Sequence, residues 1–251
     1  MIYFISDVHL GVMERSEDKL REDKLLSVLD KMALDAKKIY LVGDIFDFWF
    51  DYKQVIPKHF YRTLSKLHEI RNNVCEIEFI IGNHDFGHSD FFEKELNIPV
   101  FGTDIIRNHS GKKFYISHGD GKDINDKGYL LLKKVMRNPL SLKLYLMLHP
   151  NLGIKLASGS SKESRKYSSQ KHYNESDVLF KFAQSKIEEG FDYVVMGHRH
   201  KASKEIYKTG IYLNIGEWIK KPTFAVFDGK DINHIFVADY LKQPTSQLNY
   251  E

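Results

Sequence analysis

Five short clusters of Asp, Asn and His punctuate the chain. They are Asp7-Val8-His9, Gly43-Asp44 with Asp47, Gly82-Asn83-His84-Asp85, His118-Gly119-Asp120 and Gly197-His198-Arg199-His200. Their side chains offer hard oxygen and imidazole nitrogen donors, a set that suits Mn, Fe, Zn or Ni better than thiophilic or all-oxygen ions. Asp44, on a tight turn after Gly43, has two carboxylate oxygens and could bridge two cations. Two ions about 4 Å apart activate a water and neutralise a phosphoryl group together. Each cluster alone is weak: an Asp-x-His recurs by chance, and an Asn-His-Asp can be a turn with a helix cap. Five in order, each closing an apolar run, predict one metal centre.

The elements that must position these residues are readable around them. The runs Ile2–Ser6, Ile39–Val42, Glu78–Ile81, Lys113–Ser117 and Tyr193–Met196 are apolar, β-branched or aromatic and are predicted as buried strands. Between them Leu25, Leu29, Met32 and Ala36 share one helical face, as do Phe60, Leu64, Leu67 and Ile70. Asn174 with Asp177 resembles a helix start, followed by Leu179, Phe182, Ala183 and Ile187 at helical spacing. From Ala202 to Tyr240, short strands separated by Gly210, Gly216 and Asp228-Gly229 predict hairpins. Strand–helix alternation followed by hairpins predicts a layered α/β body, with residues beyond the carboxyl ends of its strands meeting at one rim. The stretch at about 122–171 breaks this rhythm. Its Leu-rich segments are split by Pro139 and Pro150, the pattern of an inserted helical cap.

Composition narrows the classes. Of 251 residues 42% are hydrophobic and 28% charged, which excludes disorder and collagen-like folds. The lone Cys75 cannot form an internal disulfide and fits a reducing compartment. No signal-peptide pattern opens the chain, and the longest uncharged stretch, Leu144–Ile154, holds Pro150 and is too short to span a bilayer. A cytoplasmic protein is expected. The net charge of +3 hides an asymmetry: residues 121–174 carry 11 Lys/Arg against 3 Asp/Glu, while the remainder is net acidic. A basic insert on an acidic body predicts an anionic partner such as phosphate, a nucleotide or a lipid surface.

The constellation resembles the calcineurin-like metallophosphoesterases over about residues 1–235. The resemblance implies a two-sheet β-sandwich flanked by helices and two divalent metal ions, manganese foremost, with Fe, Zn or Ni as alternatives. It implies that Asp7, His9 and His200 hold one ion, that Asn83, His118 and His198 hold the other, and that Asp44 bridges them. It also implies that His84 acts on the substrate and that Asp85 orients it, these two being the catalytic pair. Within the family, the runs Asp7-Val8-His9-Leu10-Gly11 and Gly43–Trp49 and the basic insert with Asp126-Lys127-x-Tyr129 and Ser161-Lys162-Glu163 are similar to one branch. That branch releases UMP and a lipid monophosphate from UDP-2,3-diacylglucosamine, in lipid A biosynthesis. Similarity to it implies a cap that holds acyl chains, substrate contacts at Asn83, His84, Asp126, Ser161, Arg165, Lys166 and His198, and peripheral contact with the anionic inner membrane. The chain departs from the branch at His84, where an Arg is usual, and at Arg165 and Lys166, where an Asn and then a Lys are usual.

Two other readings compete: a phosphodiesterase or pyrophosphatase acting on a soluble nucleotide, and a non-catalytic metal-binding scaffold. Seven convergent ligands weigh against the scaffold. Positive charge confined to a Leu-rich insert without interleaved aromatics weighs against nucleic acid. The expected organisation is one metallophosphoesterase domain over 1–251 with the cap inserted at about 122–171. Trp49 and Phe50 read as core, and Arg199 as a solvent-facing residue.

Overall fold

A computed structural model describes residues 1–157, 159 and 175–243. Two sheets lie at its centre. The first has six strands in the order β11-β10-β1-β2-β3-β4: β1 (Ile2–Ile5), β2 (Lys38–Val42), β3 (Glu76–Ile80), β4 (Val100–Phe101), β10 (Thr223–Phe227) and β11 (Ile232–Phe236). The second has five in the order β5-β6-β7-β9-β8: β5 (Ile105–His109), β6 (Lys112–Ser117), β7 (Tyr193–Met196), β8 (Ser203–Tyr207) and β9 (Gly210–Asn214). Strands β1 to β4 run parallel, as do β6, β7 and β9, so their carboxyl ends share an edge; β10 closes on β1 antiparallel.

The helices are α1 (Arg15–Met32), α2 (Tyr61–Asn73), α3 (Phe91–Lys94), α4 (Lys127–Met136), α5 (Pro139–Tyr145), α6 (150–157), α7 (Glu175–Glu188) and α8 (Val237–Lys242). Side chains alternate across each strand, and in β1 this sorts the core into layers. Phe4 points between the sheets, where it packs with Tyr40, Val42, Phe114, Ile116, Val195 and Leu213. Tyr3 and Ile5 point the other way, onto Leu25, Val28, Leu29 and Met32 of α1 and Leu64, Leu67 and Ile70 of α2. Behind the second sheet, Leu179, Ala183 and Ile187 of α7 cover Tyr115, Val194, Met196 and Tyr212. Strands buried on both faces read as continuous apolar runs, which is why these five were legible. The order is helices, sheet, sheet, helix.

Two elements differ from expectation. The last residues before Tyr240 form α8 rather than a strand, because Val237 and Tyr240, three apart, both bury on one helical face. Helix α1 ends at Met32, one turn before Ala36. Helix α7 begins by Glu175, while Asn174 lies outside the described residues. The prolines of the insert do split it, Pro139 occupying the first turn of α5 behind the Asn138 cap.

Candidate metal centre

Residues just past the carboxyl ends of β1, β2, β3, β6 and β7 meet at one rim. The turns after β1 and β2 lie side by side, with Asp7 N donating to Gly43 O at 3.1 Å and His9 N to Asp44 O at 2.9 Å. Five of the residues gathered there, Asp7, His9, Asp44, His198 and His200, have positive φ between 50° and 73°. Residues with a Cβ rarely adopt that conformation, and it concentrates where function holds a backbone in place. Two glycines allow the turns to approach. A Cβ at Gly82 would overlap the Asp44 carboxylate, and one at Gly43, itself at φ 79°, would lie 2.5 Å from His118 Nδ1.

Three groups of donor atoms result, each within 4.8 Å: Asp7, His9, Asp44 and His200; Asp44, His118 and His198; and His9, Asp47 and His84. Asp44 belongs to the first two. Its Oδ2 is 3.7 Å from His9 Nε2 and 3.4 Å from His118 Nε2. His9 Nε2 and His200 Nε2 face each other at 3.0 Å, and His200 Nε2 is 3.2 Å from Asp7 Oδ1. Asn83 joins the second group, its Oδ1 being 3.1 Å from His118 Nε2. His118 Nδ1 donates to Val42 O at 2.9 Å, which leaves Nε2 as the nitrogen turned to the cluster. Asp7, His9, Asp44 and His118 are fully or almost fully buried. Crowded imidazole nitrogens and carboxylate oxygens, with no sulfur, fit divalent cations of the borderline class.

The charges are tuned by one another. Burial works to raise Asp44, but His118 and His84 beside it hold it well below the usual carboxylate range. Asp7 is likewise held low against burial by His200 and His118. His118 is pushed up to about 10, against burial, by the Asp44 carboxylate. Burial, with His118 adding to it, pushes His198 down to about 4. Burial also lowers His9.

The resemblance assigns Asp85 to orient His84, and the structure places its carboxylate on backbone groups. Its oxygens accept from backbone N–H groups, of Gly82 at 2.7 Å and of Ile45 at 2.8 Å, so it staples the two glycine turns together. The carboxylate beside the His84 ring is Asp47, whose Oδ1 lies 3.5 Å from His84 Nδ1 and 3.5 Å from His9 Nδ1. Three residues after Asp44, Asp47 N donates to Leu10 O and returns the chain to the β1 turn. The Asp44-x-x-Asp47 spacing was the available signal. His84 N donates to Asp44 Oδ1 at 2.9 Å, so the ring is carried beside both donor groups.

A cavity of about 380 Å³ opens between this rim and the cap, lined by Asp47, Asn83 and His84 at one side and by residues such as Phe50, Phe86, Leu132, Met136, Leu142 and Leu156 elsewhere. Trp49 and Phe50 are buried as expected, and the Phe50 ring also packs, tilted, against Tyr145 of α5 at 4.2 Å between ring centroids. Asp126 caps α4, its Oδ1 accepting from Tyr129 N at 2.9 Å. Ser161, Arg165 and Lys166 lie outside the described residues. Sequence reasoning placed Asp120 only within a donor cluster, and in the structure it gathers the cap: Tyr129 OH, Lys133 Nζ and Arg137 Nη2 lie 3.1, 2.7 and 3.0 Å from its Oδ2. Those three residues are four apart along α4 and its C-cap residue Arg137, a polar stripe visible in the sequence. Among the described residues no helix is long and apolar enough to cross a membrane.

The sequence profile of the calcineurin-like phosphoesterases matches residues 1–202. The UDP-2,3-diacylglucosamine hydrolase of Porphyromonas gingivalis is 35% identical over 246 residues, covering 91% of this chain and 94% of its own. The protein of that name from Blochmanniella pennsylvanica is 29% identical over 216 residues, covering 83% and 82%. Among solved structures, an archaeal phosphodiesterase aligns with TM-score 0.48 at 15% identity, covering 94% of this chain and 98% of that one.

Proposed function

Because the chain belongs to the calcineurin-like phosphoesterase family, and is thereby a metal-dependent hydrolase of phosphoesters or phosphoanhydrides, we propose that it cleaves the pyrophosphate of UDP-2,3-diacylglucosamine. The products are UMP and the lipid monophosphate, a step of lipid A biosynthesis. One juxtaposition carries the reading: Asn83 and His84 of the rim line the same cavity as the apolar residues Leu132, Met136 and Leu142 of the cap. A phosphoanhydride joined to acyl chains needs both surfaces at once. The names of the two relatives support the same substrate.

In this reading Asp7, His9 and His200 hold one divalent ion, Asn83, His118 and His198 a second, and Asp44 both, with manganese the first candidate. Bound there, the ions supply Lewis acidity, drawing charge off the phosphoryl oxygens and acidifying water. The protein's own groups do the rest. His84, carried on a backbone N–H that donates to Asp44, delivers a proton to the leaving oxygen and steadies the charge growing on the phosphoryl group. Asp47 turns the His84 ring. Asp85 is a positioning residue that fixes the two turns. Asn83 and His198 reach the phosphates, with Asp126, Ser161, Arg165 and Lys166 contributing from the cap, and the apolar lining excludes water from the acyl chains. The whole chain acts as one metallophosphoesterase domain with its cap at about 122–171.

The enzyme works at the cytoplasmic face of the inner membrane without spanning it. Exposed Leu131, Val135, Leu140, Leu144 and Met147 of the cap, beside Lys127, Lys134 and Lys143, support peripheral attachment to an anionic bilayer. The test is turnover after chelation and manganese addition, on UDP-2,3-diacylglucosamine beside soluble nucleotide diphosphates. Release of UMP from the lipid substrate is expected. Cleavage of soluble substrates alone would replace this reading with a soluble-nucleotide hydrolase, and no turnover on either would favour the scaffold.

A further inference from the structure

The cavity under the cap carries two cationic side chains on its wall. Lys133 and Arg137 both line it, and both are tied to the single carboxylate of Asp120, at 2.7 and 3.0 Å. Asp120 is shared between the two cations, while Asp47, the carboxylate that itself lines the cavity, lies 3.5 Å from the His9 and His84 rings. Arg137 Nη2 also donates to Gly82 O at 2.7 Å, the residue before Asn83, which fixes the guanidinium beside the metal rim. Among the described residues its Nε and Nη1 have no hydrogen-bond partner, and its side chain is only 20% exposed. A guanidinium held by one nitrogen presents the others as a planar fork, the geometry that matches phosphate oxygens. Asn83 and His84 line the same cavity as Arg137, and so do the apolar Leu132 and Met136.

We propose that Arg137, anchored by Asp120 and the Gly82 carbonyl, binds the phosphate that stays with the lipid half of the substrate and remains on the product. The ligand chemistry is a phosphate monoester on an apolar tail. The inference rests on the function proposed above, and it deepens that reading by assigning a cap residue to one of the two phosphates. UMP, the other product, has no tail to seat between Leu132 and Met136, so Arg137 discriminates between the two halves.

The experiment is calorimetric titration of the metal-loaded protein with dodecyl phosphate, below its micelle concentration, and separately with UMP. Loss of a charge-assisted phosphate contact predicts that Arg137→Met weakens dodecyl phosphate by about ten- to a hundredfold, and UMP by less than about a third of that loss. Arg137→Lys, which keeps the charge without the fork, should lie between. Equal losses for both ligands would overturn the proposal in favour of a structural clamp, as would unchanged dodecyl phosphate affinity. Melting temperature and metal content are read on every variant. Should Arg137→Met lose its fold or metals, Arg137→Lys decides: a loss greater for dodecyl phosphate than for UMP supports the proposal, and none overturns it. Arg137-dependent binding in a protein that does not turn over UDP-2,3-diacylglucosamine would overturn the substrate assignment and leave this subsite standing.

Discussion

Among the described residues Asp44 is the one carboxylate common to two donor groups, so its loss acts on both. Asp44→Ala is expected to keep the fold by circular dichroism but to fall from about two bound metals per chain to below one by elemental analysis. Two ions retained would remove Asp44 as the bridge. For His84 the expectation is different. His84→Ala should lower kcat by roughly 10²–10⁴-fold with the metals still bound, as for a group that acts on the transition state; wild-type kcat would take His84 out of the mechanism. His88, five residues beyond Asn83, is a separate matter. Its ring stacks on Trp49 at 5.5 Å and packs on Phe79 and Phe92, and both nitrogens are shut off from solvent with no partner. Burial pushes it down to about 3. Between that value and the unfolded value near 6.5 the unfolded chain takes up a proton that the native protein refuses, so stability falls as pH falls. About 2 kcal/mol should be lost from this residue between pH 7 and pH 5. Urea melts of His88→Phe at the two pH values should lack that share of the acid loss, and an identical pH dependence would clear His88 of it.

At the scale of elements, Gly82 shows how tightly the strand ends are set. Its Cα leaves no room for a side chain beside Asp44, so Gly82→Ala should preserve β3 yet weaken metal binding by about 10- to 100-fold, measured by chelator competition. Unchanged affinity would mean that the bridging carboxylate has slack. The same strand ends explain what could be read beforehand. Donors must leave the sheet where their strand stops, so Asp7, Asp44, Asn83, His118 and His198 each sit within a few residues of an apolar run that both sheets bury. Elements without a long buried run were harder. Strand β4 is two residues, and the alternately exposed β5 looks like loop. The six residues of α8 hold too few turns to separate a helical period from a strand. Asp47 and Asp120 stood in plain view, but their partners come from other turns and from the cap, and no local pattern announces a contact made by docking.

The whole molecule joins a basic, leucine-rich cap to an acidic body across one cavity. If that cavity holds acyl chains, each buried methylene contributes about 0.8 kcal/mol, and shortening the substrate by four of them should raise KM more than about a hundredfold. A KM indifferent to chain length would end the lipid reading while leaving the metal centre untouched. The topology carries a further consequence, for how the molecule comes to exist. Strand β1 is flanked by β2 and by β10, and Asp7 waits for His198 and His200. A ribosome making this chain releases β1, β2 and β3 early, but more than two hundred residues must emerge before Thr223–Phe227 can dock. During that interval β1 is an open edge, its N–H and C=O groups free to pair with any passing strand. Chains stalled or truncated within the cap are therefore expected to aggregate and to hold metal poorly, however well their first half has folded.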